Sequence, residues 1–137
     1  MSEYTNDIPI ENVVNAMLEA YQPLMDVFGN NMEPDRITRQ SAKRYLVYHI
    51  IHEDPVQLKQ RAAVTVTVRV QIDTYASTRA TASADGLLCR AAFDNKHGVF
   101  GGLEVSRAWW ESYNGTFDQG NERYKAVNDF MLRVNLN

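Results

Sequence analysis

Between Val64 and Asp73 the chain reads Val-Thr-Val-Thr-Val-Arg-Val-Gln-Ile-Asp, and no other segment narrows the possible fold so far. Val64, Val66, Val68, Val70 and Ile72 alternate with Thr65, Thr67, Arg69, Gln71 and Asp73. A helix cannot keep such a set on one face, because its side chains come round every ~3.6 residues and not every second one. The segment predicts a strand with its apolar set on the core and its polar set solvated or paired. A second strand is predicted over Tyr45 to Ile51. There both alternate sets are apolar, with Leu46, Tyr48 and Ile50 on one side and Tyr45, Val47 and Ile51 on the other. That pattern suits a strand covered on both faces, by a helix on one and, as one candidate, a neighbouring subunit on the other.

Helical spacing frames these strands. Ile10, Val13, Val14, Met17, Leu18, Tyr21, Leu24 and Met25 recur three or four apart, which predicts one amphipathic helix. Asp7 and Pro9 suit its start, and Pro23 disturbs its last turn because proline lacks the amide that turn would use. From Thr78 a second helix is predicted, with Ser77 as N-cap and Ala80, Ala84, Leu87, Leu88 and Ala91 inward. Gly86 weakens it by about 1 kcal/mol relative to alanine, and its small residues predict close approach to the sheet.

Gly29-Asn30-Asn31 marks a turn, followed by a polar segment to Ser41. Asp94 to Gly102 reads as a flexible loop with Val99 and Phe100 at its apolar tip, and Tyr113 to Gly120 as a second polar loop. Leu103, Val105, Trp109 and Tyr113 line one side of a third strand. Tyr124, Ala126, Phe130, Leu132, Val134 and Leu136 mark a fourth. The order helix, strand, strand, helix, strand, strand predicts an α+β fold: a four-stranded, mainly antiparallel sheet with two helices packed on one face. With 137 residues and no linker or repeat, residues 1–137 read as a single domain.

Composition bounds the function. The N-terminus has no basic region followed by an apolar run, so it does not read as a signal peptide. No stretch approaches the ~20 apolar residues that span a bilayer. The lone cysteine, Cys89, excludes an intrachain disulfide and reads more readily as a small buried hydrophobe than as a nucleophile. A net charge of −3 argues against a protein that grips nucleic acid over its whole surface. Arg36, Arg39, Lys43 and Arg44 form a local basic cluster, more often a solvated turn than a contact patch.

Tests for chemistry come back negative. His49 and His52 are three apart, which on a regular strand points them to opposite faces, so they do not share a metal. His52-Glu53 opens like a zinc-protease motif, but Val56 stands where its second histidine belongs. Glu53-Asp54 before Pro55 reads as a turn. There is no Gly-x-Ser-x-Gly elbow, no phosphate-binding glycine loop, and no histidine beside Cys89 in sequence to activate it. Trp110 and Phe100 are the exposed aromatic candidates, yet they are not spaced as base-stacking platforms. No cofactor, metal or catalytic residue is expected, and Val99, Phe100, Trp110, Arg36, Arg39 and Arg44 stand as candidates for contact with other proteins.

Arg69-Val70-Gln71-Ile72-Asp73-Thr74-Tyr75-Ala76-Ser77, followed by a small-residue helix, resembles the central segment of the tail terminator proteins of long-tailed bacteriophages. These are also called tail completion or head-tail joining proteins. Tyr45-Leu46-Val47-Tyr48 after the amphipathic helix, and Asp129-Phe130 in the closing strand, add to the likeness. The connection before the first strand departs from the pattern, being longer and carrying the basic cluster. The resemblance implies a virion structural protein without catalysis, assembled in the host cytoplasm and sited at the neck or tail top. It implies a homo-oligomer, a hexameric ring, that caps the tail tube protein, stops its polymerisation and meets the head connector or head-completion protein. DNA would pass through the lumen without specific binding, and no membrane is involved. A chain of this length has a radius of gyration of about 14 Å, so six copies in a ring leave a hole about one subunit wide. Two other classes stay open on the residues alone. One is a small α+β ligand-binding domain or enzyme, and the other a nucleic-acid-binding module using the Arg36–Arg44 cluster.

Overall fold

The computed structural model describes residues 7–29, 31–35, 44–53, 65–120 and 122–135. Along them run helices α1 (Asp7–Ala20) and α2 (Gln22–Phe28), strands β1 (Met32–Pro34), β2 (Tyr45–Glu53) and β3 (Thr65–Ala76), helix α3 (Arg79–Phe93), and strands β4 (Gly98–Phe100), β5 (Leu103–Asp118) and β6 (Arg123–Asn135). The strands form one sheet in the order β1-β2-β3-β6-β5-β4. β1 is parallel to β2, and every other neighbouring pair is antiparallel.

The expected four-stranded sheet under two helices is therefore overturned by a six-stranded mixed sheet with three helices. The two added strands are edge strands of three residues each. Met-Glu-Pro and Gly-Val-Phe are too short for alternation to register. α1 touches β2 near one margin and β4 at the other. A sheet whose two margins meet one helix has to curl round it, and this one forms a half-barrel.

Proline explains the third helix. The predicted amphipathic helix breaks at Tyr21, which is extended at φ −102 and ψ 100, and Pro23 lies in the first turn of α2. A proline inside a helix loses one hydrogen bond and clashes with the preceding turn, whereas at a helix start its missing amide costs nothing. Ile10, Val13, Val14, Met17, Leu18 and Leu24 are all buried as expected. They meet Val66, Val68, Val70, Ile72, Phe130, Leu132 and Val134 from the centre of the sheet. Val64 and Leu136 lie outside the described residues.

Helix α3 lies on the sheet by a different face from the one predicted, and of the expected inward set only Leu88 packs on the core. Ala80, Ala84 and Ala91 are exposed, and Leu87 is 60% exposed. The buried set is Ala82, Asp85, Gly86, Cys89, Ala92 and Phe93, capped by Thr78 rather than Ser77. Gly86 decides the orientation. A Cβ there would stand 2.7 Å from Asn128 Nδ2, so only glycine lets the helix come this close to β6. Close approach, the other expectation for this helix, is what the sheet contacts show.

β5 also departs from the sequence reading. Its pairing with β6 shifts between Val105 and Arg107 and again between Trp110 and Ser112. Each bulge moves the alternation by one residue. Val105 and Ala108 are therefore buried in the core with Trp110 packed against it, in place of the predicted Val105, Trp109 and Tyr113 side. The second predicted loop is strand as far as Asp118, and the first contains β4.

Candidate interaction surfaces

The residues that carry the sequence motif come together in space. The Arg69 guanidinium donates to Asp129 Oδ2 at 2.8 Å, and the Ser112 hydroxyl donates to the same oxygen at 3.1 Å. Next to Asp129, Phe130 packs on Phe93 of α3 with ring centroids 5.0 Å apart. The central motif and the closing-strand dipeptide are thus one structure spanning β3, β6, β5 and α3. Tyr75 stacks on Tyr45 at 4.6 Å, and burial holds its phenol above the usual range. The Thr74 hydroxyl donates to the Ala82 carbonyl at 2.9 Å, tying β3 to the start of α3.

His49 faces two carboxylates. Its Nε2 lies 3.4 Å from Asp73 Oδ2, and its Nδ1 lies 3.6 Å from Asp35 Oδ1. Asp73 is buried and also accepts from Gln71 Nε2 at 2.9 Å. The Asp73 hydrogen bond raises the imidazole's pKa, desolvation opposes it, and the charges of Asp73 and Asp35 add to the rise. With a carboxylate on each nitrogen, the ring ties β2 to β3 and to the residue after β1. Cys89 is buried, and desolvation, with help from Asp85, keeps its thiol protonated. Among the described residues there is no group of three His, Cys, Asp or Glu that could hold a metal.

Of the basic cluster, Arg36, Arg39 and Lys43 lie outside the described residues. Arg44 is tied to the fold, although its side chain stays 44% exposed. Its Nε and Nη2 donate to the two oxygens of Asp85 at 3.1 and 2.7 Å. The Asp85 side chain is almost wholly buried in α3, and this two-pronged pair anchors the start of β2 to it. The pair was not foreseeable from two residues so distant in sequence.

Val99 and Phe100 belong to β4, at the sheet margin, and not to a loop tip. Val99 is 71% exposed, while Phe100 is half-buried and packed on the core. The turn after them sits on α1: a Cβ on Gly101, at φ +61, would lie 2.8 Å from the Asn12 backbone. Trp110 is half-buried. Its indole N–H donates to Asn128 Oδ1 at 3.0 Å, and the Arg90 guanidinium lies 3.9 Å above its ring. Only Val99 of these three presents a side chain freely to the surroundings.

Two surfaces escaped the sequence reading. One is the outer stripe of α3, Ala80, Ala84, Leu87 and Ala91, which the sequence assigned inward because the opposite face is equally apolar. The other is the far half of β5. Tyr113 is 48% exposed and Phe117 43% exposed, and they flank Gly115. Beside them lies a cleft of about 210 Å³ bordered by Arg79, Ser83 and Tyr124. The alternation of Tyr113, Gly115 and Phe117 was the available signal, hidden by an Asn-Gly pair that reads as a turn.

No protein-family model and no curated protein sequence matches the chain. A solved structure does. A chain of the virion of a native gene transfer agent particle superposes with a TM-score of 0.72, covering 95% of this chain and 99% of that one at 15% identity. At that identity the likeness establishes a shared fold.

Proposed function

We propose that this chain is a non-catalytic structural protein of a phage-like virion, and that it acts there as a tail terminator. In this reading it forms a ring of about six copies, caps the tail tube, stops addition of tube subunits and joins the tail to the head connector. The observation that carries the reading is the likeness in fold, over nearly the whole of both chains, to a component of a gene transfer agent virion. The joined cluster of Arg69, Asp129, Phe130 and Phe93 adds to it, because the motif that resembles tail terminators is the structural hub of this sheet.

The local chemistry agrees with an assembly role. His49 faces a carboxylate on each side, and the Cys89 thiol is buried. The sequence before Arg36 carries acidic residues and no Lys or Arg. Glu11, Glu19 and Asp26 therefore make the helices α1 and α2 acidic, which suits a wall past which DNA slides without adhering. The nucleic-acid-binding alternative loses Arg44, which is spent on Asp85. Val99, exposed on an edge strand, is the proposed contact with a tube or connector subunit.

Deleting the gene from a particle-forming genome tests this reading by electron microscopy. Overlong tails beside filled, tailless heads are expected. Particles of normal tail length joined to heads would overturn it.

A further inference from the structure

Among the described residues, the outer edge of β5 is covered along its first half and bare along its second. Leu103, Glu104 and Val105 pair with β4. Next, the Asn95 N–H donates to the Ala108 carbonyl at 2.8 Å, and the Ala108 N–H donates to the Lys96 carbonyl at 3.0 Å. The Trp110 N–H then donates to Asp94 Oδ1 at 3.0 Å. Every outward amide up to this point has an acceptor.

The bulge at Glu111 resets the phase. Trp110 turns its amide outward, so Phe130 opposite it turns its own amide to β3. Asn128, Ala126 and Tyr124 follow Phe130 by steps of two along an unbulged β6. Their partners Tyr113, Gly115 and Phe117 therefore aim N–H and C=O groups away from the sheet. Among the described residues no strand pairs with that edge, and Ser112 to Phe117 are exposed. Folded proteins blunt such edges with proline, lysine, a bulge or a short strand. From Ser112 to Asp118 there is none of these, and Asp118 is the single charge.

We propose that this edge is a self-association site, pairing antiparallel with the same edge of a second copy about a two-fold axis at Gly115. That register sets Tyr113 opposite Phe117, Asn114 opposite Thr116 and Ser112 opposite Asp118. One face gains two aromatic cross-strand pairs on either side of the glycines, and the other gains amide–hydroxyl pairs between Asn114 and Thr116. No like charges meet. A two-fold contact requires one patch to complement itself, and this segment does so in a register fixed by its own outward amides. The bare glycine at the axis matters too. The Tyr113 ring folds over it, with its hydroxyl 2.7 Å from where a Cβ would stand and 3.0 Å from Ser83 Oγ. The backbone at the centre of the edge stays accessible to a partner strand. The contact closes at two copies, uses neither Val99 nor the basic cluster, and does not depend on the ring.

Gly115→Pro is the test. Proline removes an outward amide that has no partner among the described residues, and edge strands tolerate it at such positions once the Tyr113 hydroxyl swings aside from its Cβ. Light scattering across a concentration series should show the wild-type chain associating in pairs. The folded variant should be monomeric, or should pair at least tenfold more weakly. Amide exchange on the wild type gives a second reading that does not depend on the variant folding: Gly115 and Phe117 should slow as concentration rises, while Ala108 should not change. Asn114→Cys/Thr116→Cys should crosslink two copies on mild oxidation, because opposed non-hydrogen-bonded residues place their Cα atoms about 4.5 Å apart. A wild type monomeric at every concentration with fast exchange at Gly115 would overturn the proposal. So would a folded Gly115→Pro that associates as the wild type does, and a strand supplied by some other protein would show itself by the first of these results.

Discussion

The inner face of the sheet has two ends built on different principles. At one end Val66, Val68, Val70, Phe130, Leu132 and Val134 meet the residues of α1 and the large ring of Phe93. At the other, Thr74, Asn128, Ala76 and Ala126 meet Ala82, Asp85 and Gly86 of α3. The first end is held by volume, since burying each large aliphatic side chain contributes about 1.5–3 kcal/mol. The second is held by nearness and by polar groups that must find partners: Thr74 with the Ala82 carbonyl, Asn128 with Trp110, and Asp85 with Arg44. The volume-filled end tolerates no charge, and the close-packed end tolerates no added atom.

Substitutions at each end put this contrast to the test. The largest effect is expected at the volume-filled end, where Val66→Asp places an unpaired charge in a core position; a loss of 4 kcal/mol or more, about the top of the range for one substitution, should appear in urea unfolding. Gly86→Val should cost about 3 kcal/mol, because its side chain would collide with Asn128 and Ala126 across a gap that cannot widen without lifting α3. A milder cost, near the intrinsic difference between helix formers, would show that α3 is looser than described.

Arg44→Ala should cost about 2 kcal/mol, at the low end for stranding a buried carboxylate, since the Arg44 side chain is itself 44% exposed and water can enter in its place. The smallest effect lies on the outer face of the close-packed end. His49 has its pKa raised in the fold by Asp73 and then Asp35. Its contribution is therefore fully present below the unfolded value of about 6.5 and is lost as pH rises through the higher folded value. Thermal unfolding between pH 6 and 8 should show stability falling with pH in the wild type, and a flatter profile in His49→Gln.

The two ends also differ in how far the sequence discloses them. Period two over Val66 to Ile72, and the three-four spacing of Ile10 to Leu24, carry enough apolar residues to reveal which face is buried. α3 carries no such asymmetry. Its alanines lie on both faces, so Ala80, Ala84, Leu87 and Ala91 read as well inward as outward until the contact between Gly86 and Asn128 decides. The same holds for β5, where two bulges shift the phase and an Asn-Gly pair mimics a turn inside a continuous strand. Edge strands of three residues leave no periodic trace. For the candidate contacts, exposure of Val99 could be read from composition, whereas burial of Phe100 against the core and capture of Arg44 by Asp85 depend on tertiary neighbours that no local pattern encodes.

The proposed role has the chain built into a virion as a ring. Quantitative mass spectrometry of purified particles, with isotope-labelled peptides of this chain as standards, tests that most directly. Its peptides are expected at a fixed low copy number, about six per particle, retained through density-gradient purification. Particles of full activity that contain none of its peptides would contradict it.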